Sequence, residues 1–341
     1  MFVRFCKRDS THQSIMASYA FLVFAASLVV VYAGGFTTTI GAGMVFLDWP
    51  LSNGSLNPPG WVSDEGMLAE HSHRLTGMVT GLLTIGLVIG MYLFESRAWL
   101  RRLSYICLGL VVAQGLLGGM RVLLDSTPLA NIHGVFAQLY VCSLAAVVVG
   151  TSGWWRELPV DLPAKEGASW TFERRLGVAL TLLIVAQLVV GSIMRHQGAG
   201  MAIPYFPHST SSGAWLPAAW NWGVIVHFLH RVGALLITGA FVFWSWRVWT
   251  SKTATTAMKR MTFLATFFLI LQILLGANII WSIRQPFETT MHVLNGVLFL
   301  CSVWSVVFAY FRPLLEGSER SAARVPNKDG VNDNSSVAQG A

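Results

Sequence analysis

Glu70-His71-Ser72-His73-Arg74 and His227-Phe228-Leu229-His230-Arg231 stand 157 residues apart, and each opens an apolar run of helical length. The register continues outward from them. Gly34, Gly43 and Pro50 match Gly191, Gly200 and Pro207 at the same offset, and Gly41-Ala42-Gly43-Met44 recurs as Gly198-Ala199-Gly200-Met201. Further along, Gln114 in AQGLLGG pairs with Gln272 in LQILLGA at 158, and His133 pairs with His292 at 159. A near-constant offset held from residue 34 to residue 292 indicates internal duplication. The chain therefore reads as two equivalent halves with one ligand site in each.

Hydrophobic residues make up 54% of the 341 residues and charged ones only 11%, with a mean hydropathy of +0.57. That is more apolar surface than a soluble core of this size hides. Eight apolar segments of spanning length fall near 14–36, 73–94, 103–123, 130–152, 175–195, 225–247, 261–283 and 290–311. The expectation is an all-α membrane protein with eight transmembrane helices arranged as two pseudo-symmetric four-helix bundles. The first segment is longer than the core of a cleaved signal peptide and is the repeat partner of the fifth, so it reads as a retained helix.

Basic residues set the orientation. Arg4, Lys7 and Arg8 precede the first segment, Arg97, Arg101 and Arg102 follow the second, and Arg156, Lys165, Arg174 and Arg175 follow the fourth. Arg247, Lys252, Lys259 and Arg260 follow the sixth, whereas the opposite connections carry only Arg121, Arg195 and Arg284 singly. Both termini are expected on the cytoplasmic side of the cell (inner) membrane. The net charge of +7 then reports topology in a lipid bilayer, and no nucleic-acid partner is expected.

The organisation expected is a first bundle over 1–152, a linker over 153–172, a second bundle over 173–312 and a disordered polar tail over 313–341. The outward connections 45–72 and 196–224 correspond under the repeat. They are rich in Gly, Pro and Trp, including Trp49, Trp61, Trp215, Trp220 and Trp222, and read as lids at the membrane surface. Glycines at four-residue spacing, Gly77 with Gly81 and Gly86 with Gly90, suggest close helix approach. Of the four cysteines, Cys6 lies in the leader and Cys107, Cys142 and Cys301 fall inside helices, where they read as small core residues.

Nine histidines occur, and only His73, His133, His230 and His292 both recur in the repeat and sit at the outward start of alternate segments. His71 lies two residues from His73 and faces elsewhere; His12 reads as solvated, and His196 and His208 as residues beside the second lid. Within each half the paired histidines come from different helices about sixty residues apart, an arrangement that places two imidazoles on opposite faces of a flat macrocycle. Haem is favoured over a bare metal, since no cysteine or carboxylate set completes a tetrahedral site around these histidines. Arg74 and Arg231, directly after two of them, suit either haem propionates or interfacial headgroups. Where the first half has Glu70 the second has His227. A carboxylate one helical turn from His73 suits a proton acceptor or a water-positioning group, and equally an acid at a helix N-terminus. If it is the former, the first half performs chemistry and the second carries electrons.

GGFTTTIGAGMVFLDWP at 34–50, EHSHRLTG at 70–77, the Gln- and Gly-rich third segment, His133, HFLHR at 227–231 and His292 together resemble the haem A synthase family of eight-helix membrane proteins. The resemblance covers nearly the whole chain. It implies oxidation of the position-8 methyl of haem O to a formyl group, with oxygen from water, to give haem A for terminal oxidases. It further implies haem O as substrate between His73 and His133, haem b between His230 and His292, and Glu70 as the catalytic carboxylate. Implied partners are a haem O synthase, oxidase assembly factors and an electron acceptor that the sequence leaves unidentified. Two departures stand out. The family commonly carries Arg where this chain has Thr38, whereas the second-half counterpart here is Arg195; and many members carry a cysteine pair where this chain has Phe46 and Ser52. A di-haem b-type electron carrier is the alternative reading from paired histidines alone. A transporter is the other, although its site belongs at the bilayer midplane.

Overall fold

The computed structural model describes residues 10–317. The long helices are α1 (Ser10–Thr39), α2 (Glu65–Phe94), α3 (Ala98–Leu123), α4 (Thr127–Thr151), α6 (Ala164–His196), α7 (Trp222–Thr250), α8 (Thr256–Trp281) and α9 (Pro286–Ala309); α5 (Gly153–Glu157) is a single turn and a half between the halves. No strand occurs among the described residues. The shortest of the eight long helices has 24 residues. At 1.5 Å per residue it reaches about 36 Å, enough for a hydrocarbon core of about 30 Å. All eight are long and apolar enough to cross a membrane.

The helices begin earlier than the apolar pattern alone places them, because polar caps lie upstream of it. The side chains of Asp64, Ser126 and Asn221 accept the amides of Met67, Leu129 and Val224 and so nucleate α2, α4 and α7. As a result His73 and His230 lie about two turns inside their helices rather than at the mouth. His133 and His292 lie nearly as deep.

Helices α1 to α4 pack in a ring, and α6 to α9 do the same. The rings meet through α4 against α9, flanked by α1 against α9 and by α4 against α6. Exchanging the halves turns the second of these pairings into the third, which is what a pseudo-two-fold axis between α4 and α9 requires. Small residues repeat the relation: Gly35 of α1 faces Val293 of α9, and Gly134 of α4 faces Ser192 of α6. In the most apolar stretch, 67% of α9 and 44% of α4 is buried, against at most 28% elsewhere. These two helices form the molecular core, and the remaining ones present Leu, Ile and Phe outward.

Gly86 and Gly90 admit Tyr19 and Met16 of α1, as their spacing suggests, but Gly77 and Gly81 face open space and are not packing positions. Cys107 and Cys301 are buried, Cys142 is partly so, and all three are free thiols; Cys6 lies outside the described residues. The linker is much shorter than 153–172. Ser152 caps α5, Trp155 is fully buried with its Nε1 donating to Glu316 at 2.6 Å, and α6 starts at Ala164. Nor does order stop at Pro313: residues 312–317 are helical, with Arg312 paired to Glu316 at 3.0 Å. Residues 318–341 lie outside the described part.

Beneath the second bundle, at the end away from the lids, Glu173 is buried and accepts from Ser169 (3.1 Å), Tyr310 (3.1 Å) and Arg247 (3.4 Å). It ties α6 and α7 to the residue that ends α9. Glu173→Ala removes the acceptor shared by Ser169, Tyr310 and Arg247 and is expected to cost about 2 kcal/mol, read as a lowered melting temperature in detergent; Glu166→Ala on the exposed face of α6 leaves it unchanged.

Candidate functional site

Each half carries the same apparatus at the lid end. In the first, the guanidinium of Arg74 donates to the carbonyls of Asp48 (2.7 Å), Leu51 (2.5 Å) and Phe46 (3.0 Å). In the second, that of Arg231 donates to those of Tyr205 (2.6 Å), His208 (3.0 Å) and Ile203 (3.0 Å). The carbonyls 46, 48 and 51 correspond to 203, 205 and 208 at the repeat offset. The duplicated arginines therefore clamp the lid loops. Most of their terminal N–H groups are thereby engaged, and Arg74 donates to Glu70 as well.

The residue four before each arginine distinguishes the halves. Glu70, buried, takes the amides of Val45 (2.7 Å) and Phe46 (3.0 Å) on one oxygen and Arg74 (2.6 Å) on the other. Three donors suit an acceptor-only carboxylate. His227, also buried, receives the Ile203 amide at 3.3 Å and Arg231 at 3.2 Å. Position 46 corresponds to 203, so the same lid amide meets a carboxylate in one half and an imidazole in the other. At the lid surface, burial tends to raise the Asp48 carboxyl, but hydrogen bonds from the Gly54 and Asn53 amides and the Arg74 charge outweigh it and hold the group below its usual 3.8.

Beneath the lids the four histidines of the repeat come together as two pairs. His73 of α2 and His133 of α4 have ring centroids 6.4 Å apart, and His230 of α7 and His292 of α9 have the same separation of 6.4 Å. A metal with an imidazole nitrogen about 2 Å away on each side holds the two rings roughly 6 Å apart, centre to centre. Two rings at this separation, their planes at 83° in the first pair and 59° in the second, would suit imidazole ligands on either side of a haem iron. The rings are partly buried, and Nδ1 of His73, His133 and His292 has no hydrogen-bond partner. The pairs are neighbours: His133 and His292 each precede by one residue a position, Gly134 or Val293, in the contact between the bundles.

The other histidines fall outside these pairs. The Nδ1 of His71 lies 3.0 Å from Ser52 Oγ and its ring meets Trp61 edge-on at 4.7 Å; His208 meets Trp215 at 4.8 Å; His12, exposed at the far end, stacks on Phe94 at 5.2 Å. His196 at the end of α6 is partly buried and lies within electrostatic range of His133. Phe46 is fully buried and Ser52 nearly so. Arg195 reaches from α6 to the Gly35 carbonyl, and to Thr39 Oγ1 at 2.6 Å, beside Thr38 on α1.

One equivalence was invisible in the alignment of halves. Arg121 in the last turn of α3 packs on Gly43 and Arg284 after α8 packs on Gly200, the register-equivalent lid glycine, although the arginines themselves are offset by more than the repeat. Arg121 also donates to the Gly43 carbonyl and lies within electrostatic range of His73, His133 and Glu70. The signal available beforehand was that these are among the few basic residues on the lid side.

Residues 62–304 match the COX15-CtaA family model, described as cytochrome oxidase assembly protein. Among curated proteins, the chain is similar to a haem A synthase of Listeria welshimeri, 24% identical over 262 residues covering 76% of this chain and 83% of that one. A haem A synthase of an Exiguobacterium species is 23% identical over 326 residues, 94% of this chain and 100% of the relative. One from Shouchella clausii is 27% identical over 234 residues, 66% and 73% of the respective chains.

Replacing Arg231 with Ala releases three lid carbonyls at once. Limited proteolysis should then cut within 197–221 several-fold faster while 40–64 stays protected; Arg74→Ala should invert that pattern.

Proposed function

Since the chain belongs to the COX15-CtaA family of cytochrome oxidase assembly proteins, we propose that it is a haem A synthase. It oxidises the position-8 methyl of haem O to a formyl group with an oxygen from water, releasing protons and electrons in equal number. The observation that carries this reading is the asymmetry at equivalent positions of the duplicated site: two histidine pairs of equal spacing, with Glu70 one turn before His73 where His227 stands one turn before His230.

In this reading His73 and His133 hold the iron of haem O, the substrate, and His230 and His292 hold a haem b. Haem b supplies one-electron redox capacity beside the substrate site. Glu70, one turn before His73, orients water and accepts protons released at the methyl group. To take a proton, one carboxylate oxygen must give up a donor. The Arg74 contact is the one to exchange, because the other oxygen is held by two backbone amides. Arg74 then stays near the carboxylate through its lid carbonyls, and the closed lid excludes bulk water. A haem b held by His230 and His292, on the far side of the contact of α4 with α9, would be placed to take up electrons and pass them to an external acceptor. The substrate bundle is the first half and the redox bundle the second. The lids face the outer side of the inner membrane and the termini the cytoplasm, in keeping with the basic loops. Haem O synthase is the natural upstream partner, and oxidase assembly factors receive haem A.

Glu70→Gln preserves the shape and the acceptor for the two lid amides but not the charge. It is expected to abolish formyl formation in cells supplied with haem O while both haems remain bound; unchanged haem A output would remove Glu70 from the chemistry. His292→Ala, by contrast, is expected to deplete haem b selectively, seen in the pigment extracted from the purified protein.

A further inference from the structure

Each of the four paired histidines leans on a glycine of the preceding helix. A Cβ placed on Gly34 of α1 would stand 2.6 Å from Cε1 and 3.0 Å from Nδ1 of His73; on Gly118 of α3, 3.1 and 3.4 Å from the same atoms of His133. On Gly191 of α6 the distances to His230 are 3.1 and 3.4 Å, and on Gly276 of α8 those to His292 are 3.2 and 3.6 Å. In every case the Cε1 corner of the ring is turned to the glycine, with Nδ1 the nearer of the two nitrogens, by only 0.1 Å at His73, whose Nε2 stands at 3.1 Å.

The residue four before each glycine is the one that acts on the ring. Helical side chains tilt toward the N-terminus and cover the preceding turn, so a glycine uncovers the carbonyl four residues earlier, whose second lone pair is unused by the helix. The backbone at Val30, Gln114 and Gln272 acts on His73, His133 and His292 in this way, short of a formed hydrogen bond. At the fourth place the Gln187 amide stands 3.0 Å from His230 Nδ1. Three of the four helices thus carry Gln-x-x-x-Gly, at 114–118, 187–191 and 272–276. The glutamines pin the partner helix as well: Gln114 Nε2 donates to the His133 carbonyl at 3.0 Å and Gln187 Nε2 to that of His230 at 2.6 Å.

We propose that Gly34, Gly118, Gly191 and Gly276 are positioning residues for iron ligation. Each makes room for an imidazole edge, and at Gly34, Gly118 and Gly276 Nδ1–H then meets a carbonyl on the glycine's own helix, four residues earlier, so that Nε2 is presented to the metal. The inference rests on the haem reading of the histidine pairs. A ligating imidazole whose other nitrogen is hydrogen-bonded has its tautomer and ring plane fixed. At His230 the Gln187 Nε2 keeps its bond to the His230 carbonyl, so there the side-chain amide steadies the ring from the same helix position. At His292 the Gln272 amide lies 3.1 Å from Nε2, and that side chain withdraws when the nitrogen takes the metal.

The test uses the full-length protein purified in detergent with its haems. Gly118→Ala and Gly276→Ala are compared with Gly115→Ala and Gly239→Ala, whose added methyls meet nothing within 4 Å. The readouts are haem retained per protein and the low-spin ferric electron paramagnetic resonance signal of bis-imidazole ligation. The first two variants are expected to hold their haem about 10-fold less tightly and to lose that signal, with Gly34→Ala the most severe; the controls match the parent. In a His133→Ala background the Gly118 methyl meets no ring, so Gly118→Ala should lower the melting temperature no further. Parent-like haem content and signal in Gly118→Ala and Gly276→Ala would overturn the inference and leave the haem reading standing. A melting loss equally large with and without the His133 ring would also overturn it, by assigning the glycine to helix packing. A parent protein with no bis-imidazole signal would remove the haem reading, and the inference with it.

Discussion

Everything at the lid end of this molecule depends on holding two imidazoles from different helices 6.4 Å apart, in a bundle that offers them little else. A polar ring inside a membrane domain is costly unless it has partners. Here the helices approach closely enough to supply them because glycines stand opposite each ring. The lids close over the pairs through arginines that satisfy loop carbonyls water would otherwise have to solvate. Duplication builds this arrangement twice and brings the two copies against one another through α4 and α9.

Divergence after duplication is concentrated where the lid meets the helix. The same loop amide is received by Glu70 in one half and His227 in the other, while the clamping arginines and the paired histidines are kept. A site that retains its ligand geometry but gains a carboxylate acquires a group able to move protons. Its sibling has at that position an imidazole, already engaged by Arg231. This is the physical basis for giving chemistry to the first half and electron transfer to the second.

Much of this was legible in the sequence. The eight helices follow from apolar run length, and the pairing of His73 with His133 and of His230 with His292 follows from the repeat. The depth of the histidines was not, because Asp64, Ser126 and Asn221 start their helices upstream of the apolar pattern. Arg74 and Arg231 were correctly singled out by position, yet their partners are loop carbonyls, and carbonyls leave no mark in a sequence. The expected linker and tail misled for a related reason: Trp155, Trp170 and Glu316 look like surface punctuation in one dimension, but Trp155 and Trp170 are buried against the end of α9. Arg121 and Arg284 show the converse, an equivalence in space between residues that do not match in the register of the repeat.

The most direct measurement is to produce the chain together with a haem O synthase in a cell that makes no haem A, and to identify the extracted haems by chromatography and mass. The account predicts haem A accompanied by haem b. Recovery of haem b alone, with haem O present in the same membranes and untouched, would contradict it.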